Sequence, residues 1–249
     1  MNIPIITVTL KTTPTVMTKG DGKFNVMQLL QFTDSAFPVG TFSFSNGLET
    51  ASFENIVKDK TTLEQFARSQ AWQAAFTDGI AALHSFRATL NDELDKIVEA
   101  DKELMLCKMN DEARLMLTRM GKKLAELAVK LYPEDNLIAD FLRLIKEGKT
   151  PGMYPVAQGI IFAKSGINEE DLFASHQYGV VNMVLSAALR CVRVSHYDTQ
   201  EILFTLSKET PRLYGMVKDM KLEELNAFFP ELDVLASLHE KGTQRMFMS

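Results

Sequence analysis

From Thr62 onward the apolar residues recur with a helical period and strand signals are almost absent, so this chain must bury its hydrophobic surface by packing helix on helix. Ala113, Met116, Leu117, Met120, Leu124, Leu127, Ala128 and Leu131 fall on one helical face, and Pro133 stops the run because it has no N–H to donate. Leu137, Phe141, Leu144 and Ile145 repeat the pattern in a shorter helix that should end at Gly148. Pro155 suits the first turn of a helix reaching Gly166, and a long helix follows. Leu232, Leu235, Ala236 and His239 describe a last helix, after which Gly242 releases the chain. Thr61 with Glu64, Thr62 with Gln65, and Asp198 with Glu201 have capping-box spacing, and Asn91, Asn110, Asn136 and Asn168 are candidate N-caps. Gly121, Gly159 and Gly179 sit inside helical patterns, where glycine costs about 1 kcal/mol relative to alanine and marks close helix packing.

The expected fold is all-α. No linker rich in Pro, Gly or Ser divides 62–239, so a single helical domain of roughly ten helices should span 25–241. A flexible arm over 1–24, with Ile6, Val8 and Leu10 alternating, and a tail over 242–249 complete the chain. A formal net charge of -5 gives no general basic field, which argues against nucleic acid as the partner. Cys107 and Cys191 are isolated, as free thiols in a reducing compartment would be. The N-terminus lacks the basic and apolar regions of a secretory signal, so a cytoplasmic protein is expected. The uncharged run Leu172–Leu189 contains Ser175, His176, Gln177 and Asn182, which suits a buried core helix better than a membrane span.

The chemistry of the common enzymes is not written here. GDGK at Gly20–Lys23 has Met17 where a phosphate loop needs its first glycine, and Phe24 where it needs Ser or Thr. Ser43 and Ser45 lack the flanking glycines of a nucleophile elbow. His84, His176, His196 and His239 are scattered, and only His196 with Cys191 comes close enough in sequence to suggest a metal-binding pair. The reading is therefore a chain that is not an enzyme and holds no catalytic, cofactor or metal site. An alternative is a helical small-molecule-binding protein or enzyme with a site between helices near Tyr154, His176 and Arg190.

The segment Leu29–Glu49 is the most distinctive. Phe32, Phe37, Phe42 and Phe44 each carry an apolar area worth roughly 1.5–3 kcal/mol when buried, so something must cover them. Either they fold onto their own helical core, or the segment forms a surface shared with a second copy or a partner. Pro38 fixes its own φ, Gly40 and Gly47 allow turns, Ser43 lies between them, and Glu49 supplies a polar edge.

This segment resembles the N-terminal signature of the urease accessory proteins of the UreF family. Arg119-Met120-Gly121, Tyr154-Pro155-Val156 with Gly159, the run Ser186 to Arg190, and the ending Gln244 to Ser249 are similar to that family in the same order, so the likeness covers nearly the whole chain. Phe44, Met153 and Met246 depart from its pattern, and the missing histidines at the first two weaken any claim that this chain itself holds metal. The resemblance implies an all-helical homodimer that binds a scaffold of the UreD or UreH type and recruits the UreG GTPase. The assembly then meets the urease apoenzyme, with nickel handled by the complex. It also implies partner or dimer contacts at Phe37, Pro38, Gly40, Phe42, Ser43, Gly47, Glu49, Tyr154 and Arg190. In the tail the same role falls to Arg245, Met246, Phe247, Met248 and Ser249. Arg245 is the expected polar anchor, with Phe247 and Met248 filling pockets on the partner.

Overall fold

Helices α1 (Val26–Thr33), α2 (Leu48–Phe53) and α3 (Lys60–Ala74) lead through a π-helical turn (Ala75–Gly79) into α4 (Ile80–Leu90) without a break. Then follow α5 (Leu94–Cys107), α6 (Asp111–Leu131), α7 (Asn136–Lys146), α8 (Tyr154–Lys164) and α9 (Glu169–Cys191). The chain closes with α10 (His196–Ser207), α11 (Thr210–Val217) and α12 (Pro230–Glu240). This computed structural model describes residues 26–40, 43–227, 229–240 and 246–247, and it is all-α, with no strand among them. The arm expected over 1–24, Phe42, Gly242, Arg245, Met248 and Ser249 lie outside the described residues.

The helix starts correct several expected caps. Asn110 and Asn168 do cap α6 and α9, accepting from Ala113 N and Asp171 N, each at 2.7 Å. The box at α3, however, is Asp59 with Thr62, and the one at α10 is Ser195 with Asp198. Asp135, not Asn136, caps α7, and Asn91 follows the C-terminal end of α4. Apolar periodicity shows where a helix acquires a buried face, whereas the cap is set by the last residue with extended backbone, such as Asp59 at φ -150 and ψ 177. The stops expected at Gly148 and Gly166 are found, both with φ +68.

Glycine decides how closely the central helices approach. A Cβ on Gly159 would stand 2.5 Å from Ala82 O, so α8 lies directly on α4, where Ser85 Oγ donates to Val156 O at 2.8 Å. A Cβ on Gly121 would stand 2.0 Å from Gly152 O, which seats α6 on the loop before α8. Gly179 is different: nothing lies within 4 Å of a Cβ there, so it does not mark packing. Helix α8 is buried from Pro155 to Ala163 and is apolar all round apart from Gln158, as suits a central helix.

Among the described residues three apolar clusters result. The first joins α1 and the following loop to α4, α5, α6, α7 and α8, and Phe32, Phe37 and Phe44 belong to it. The second joins α2, α3, α9, α10 and α12 with Phe247. The third gathers the π-helical turn, Phe173 of α9 and α11. Helix α9 runs between them and packs against α1, α2, α3, α4, α8, α10 and α11. Among the described residues, no helix is long and apolar enough to cross a membrane.

Candidate functional site

The loop from α1 to α2 folds inward. Phe37 and Phe44 keep 8% and 4% of their surface, and Phe32 stacks edge-on against Phe37 with ring centres 5.6 Å apart. Of the two readings of this segment, self-burial therefore holds for these three rings. Pro38 stays exposed and Ser43 is half-buried. Gly40 has φ +93, and Gly47 has φ +81 with its α-carbon pressed against α12, where a Cβ would stand 3.2 Å from Ala236 N.

Glu49, at the start of α2, organises a second feature. Its carboxylate accepts from Met246 N at 2.8 Å and Phe247 N at 3.3 Å, fixing two main-chain amides of the tail. The same carboxylate lies 2.8 Å from His239 Nε2, while His239 Nδ1 lies 3.0 Å from Glu112 Oε2 on α6. The His239 ring thus bridges α2 and α6 through its two nitrogens. The Phe247 ring is 4% exposed and lies under the Arg190 guanidinium, 3.9 Å from ring centre to Cζ. This stacked cation adds to the apolar burial. The structure thus brings Glu49, Arg190 and Phe247 together in one seat on the chain's own surface. Phe247 would have to leave that seat to fill a partner's pocket. Met246 beside it is exposed.

The third feature is a cavity of about 110 Å³ that reaches from Arg190, at its outer end, to a polar cluster inside. Tyr154, His176 and Arg190 all line it, as do Phe32, Phe37 and Phe44 from the folded loop. Burial pushes the Tyr154 phenol up to about 12, so it is a neutral donor. Inside, Lys108 Nζ pairs with Asp78 Oδ2 at 2.6 Å, both side chains nearly buried. Burial pushes the Asp78 carboxyl up, but the Lys108 ammonium, His176 and the hydrogen bonds from Lys108 and Thr77 together hold it below the usual carboxylate range. Burial holds His176 below the ordinary imidazole range, against the opposing pull of Asp78.

Sequence reasoning passed over Asp78, Lys108 and Glu112. A π-helical turn puts Asp78 inside, and nothing in helical periodicity marks such a turn. A charged residue on an otherwise apolar face was the available signal for Glu112, which is 4% exposed. Cys191 is half-buried at the end of α9 and its thiol is pushed up to about 11, chiefly by burial. Among the described residues, no group of three or more His, Cys, Asp or Glu is arranged to hold a metal ion.

The family model described as UreF matches residues 57–207. The urease accessory protein UreF 2 of Brucella canis is 44% identical over 224 residues, covering 90% of this chain and 92% of its own length. The urease accessory protein UreF of Yersinia enterocolitica is 41% identical over 223 residues, covering 90% of this chain and 97% of its own.

Proposed function

Because this chain belongs to the UreF family of urease accessory proteins, with a part in urease maturation, we propose that it acts as a non-enzymatic adaptor for nickel insertion. In this reading a homodimer binds a scaffold of the UreD or UreH type in the cytoplasm and holds a UreG-type GTPase beside it. The complex then meets the urease apoenzyme and delivers nickel as cargo. The observation that carries the reading is the match at 44% identity across 90% of the chain.

The exposed groups suit contact roles. Pro38, Ser43 and Met246 are at least partly accessible, and Arg190 lies at the outer end of the cavity. Arg245, Met248 and Ser249, outside the described residues, are the remaining tail contacts in this proposal. For the second copy, Tyr197 and Phe204 lie two turns apart on α10 with 83% and 66% of their surface exposed, aromatic area of the kind enriched at interfaces.

The test is co-purification with the scaffold and the GTPase, followed by size-exclusion chromatography with light scattering, comparing the full chain with one ending at Gly242. The proposal expects a stable complex from the full chain, and a folded but solitary truncated one. Arg245→Ala should weaken scaffold binding by about 2 kcal/mol in titration calorimetry, and Phe204→Asp should shift the free protein to monomer. A full chain that binds neither folded partner overturns the adaptor reading.

A further inference from the structure

The inner end of the cavity is short of hydrogen-bond donors. Asp78 Oδ2 accepts from Lys108 Nζ at 2.6 Å and from Thr77 Oγ1 at 3.0 Å, whereas Asp78 Oδ1 has no partner among the described residues. His176 Nδ1 lies 3.0 Å from Gln158 Oε1, and with the amide in this orientation the ring proton sits on Nδ1 and the Nε2 lone pair is left without a donor. Asp78 and His176 are 6% and 3% exposed and line the same cavity. Buried acceptors left unmet in this way are rare in folded proteins and point to a guest.

The guest's chemistry follows from these surroundings. Burial keeps the His176 ring neutral and therefore an acceptor. Lys108 already balances Asp78, so an added cation would meet an ammonium ion and find no spare charge. The rest of the lining is mixed, with Phe44, Met116 and Met120 apolar and Asn46, Gln70 and Asn110 polar. An apolar cavity of about 150 Å³ accommodates benzene, so about 110 Å³ suits a molecule of roughly four heavy atoms. We propose that this cavity binds a small neutral molecule with at least two N–H donors, of the primary amide or urea class, held by Asp78 Oδ1 and His176 Nε2. The π-helical turn carries Asp78 to this place, an irregularity that recurs at functional sites. A bound guest would join that turn to α9, and this ligand role is independent of the adaptor role above.

The test uses the full chain with 15N-labelled histidine rings. Acetamide is the probe, and acetone, of the same heavy-atom count but without N–H donors, is the control. The His176 Nε2 resonance should move saturably with acetamide, on the order of millimolar given so small a ligand, and should not respond saturably to acetone. Gly179 lines the same cavity with open space around its α-carbon. Gly179→Leu should therefore fill the cavity, keep or raise the thermal midpoint, and abolish the saturable shift. A linear response to acetamide, an equal response to acetone, or a saturable response that persists in Gly179→Leu each overturns the proposal. Crystals soaked in acetamide that show only water at Asp78 and His176 would do so as well.

Discussion

Replacing Asp101 with alanine should cost this protein more stability than any exposed substitution, and the structure gives the reason in three hydrogen bonds. Asp101 lies on α5 with no exposed surface. It accepts from Thr150 Oγ1 at 2.6 Å, Gly152 N at 2.6 Å and Met153 N at 2.7 Å, holding the loop that leads into α8. Each donor stranded without an acceptor costs about 1–3 kcal/mol, which sets a ceiling of roughly 3–9 kcal/mol for Asp101→Ala. Two effects lower it. Removing the carboxylate returns its desolvation cost, the same burial that pushes the Asp101 carboxyl up against its hydrogen bonds, and water can enter the space left behind. A loss of about 3 kcal/mol is expected, and for a chain of this length that lowers the thermal midpoint by roughly 6–12 °C. Asp101→Asn should fall between, because its amide still accepts from one main-chain N–H but sets a donor against the other. Urea and thermal unfolding followed by circular dichroism measure both. The loop's other support is Gly121, whose added Cβ would press on Gly152 O. Asp101→Ala and Gly121→Ala should therefore be non-additive in a double-mutant cycle. A loss below about 0.5 kcal/mol for Asp101→Ala would refute the reasoning, since that is the range of substitutions that touch nothing important.

Two glycines on long helices should respond in opposite directions. Gly121→Ala forces backbone apart and should cost about 3 kcal/mol or more, whereas Gly179→Ala meets open space and should gain up to about 1 kcal/mol, both read from urea midpoints. Acid should destabilise the fold in two stages. His176 has its folded pKa depressed, so its contribution is complete above the unfolded value near 6.5 and is lost as pH falls below it, with a slope approaching about 1.4 kcal/mol per unit. Stability measured between pH 7 and pH 5 should slope less in His176→Gln. Asp78, and Glu169 held by Arg87, are also depressed, so their contributions persist above about pH 4 and disappear below it. Glu49→Ala strands the amides of Met246 and Phe247 and one side of His239. Hydrogen exchange at those two amides should accelerate at least tenfold, and unchanged exchange would mean that the seat does not hold the tail.

Much of the fold was legible because each helix advertises its own buried face. The run from Ala113 to Leu131, the short helix before Gly148 and the proline-led start at Tyr154 are local facts of spacing and backbone restriction, and they appear where expected. Capping residues were less legible, since extended backbone just before a helix is chosen by the preceding loop as well as by the capping side chain. Gly179 shows the limit most clearly. Its sequence context matches that of Gly121 and Gly159, yet it faces empty space, because packing depends on what another helix brings opposite it.

The candidate sites divide along the same line. Sequence alone determined the all-α class, the family, and that Glu49, Tyr154, Arg190 and the tail were residues of interest. Tertiary structure decided which of them meet. Glu49 and Met246 are nearly two hundred positions apart, and Asp78 and His176 nearly one hundred, so no local pattern records that the first two bond and the second two line one cavity. Helical periodicity is written by burial and constrains neighbours three or four residues away. Asp78 meets Lys108 only when α5 packs on the π-helical turn, and His239 stands between Glu49 and Glu112 only when α12 settles against α2 and α6.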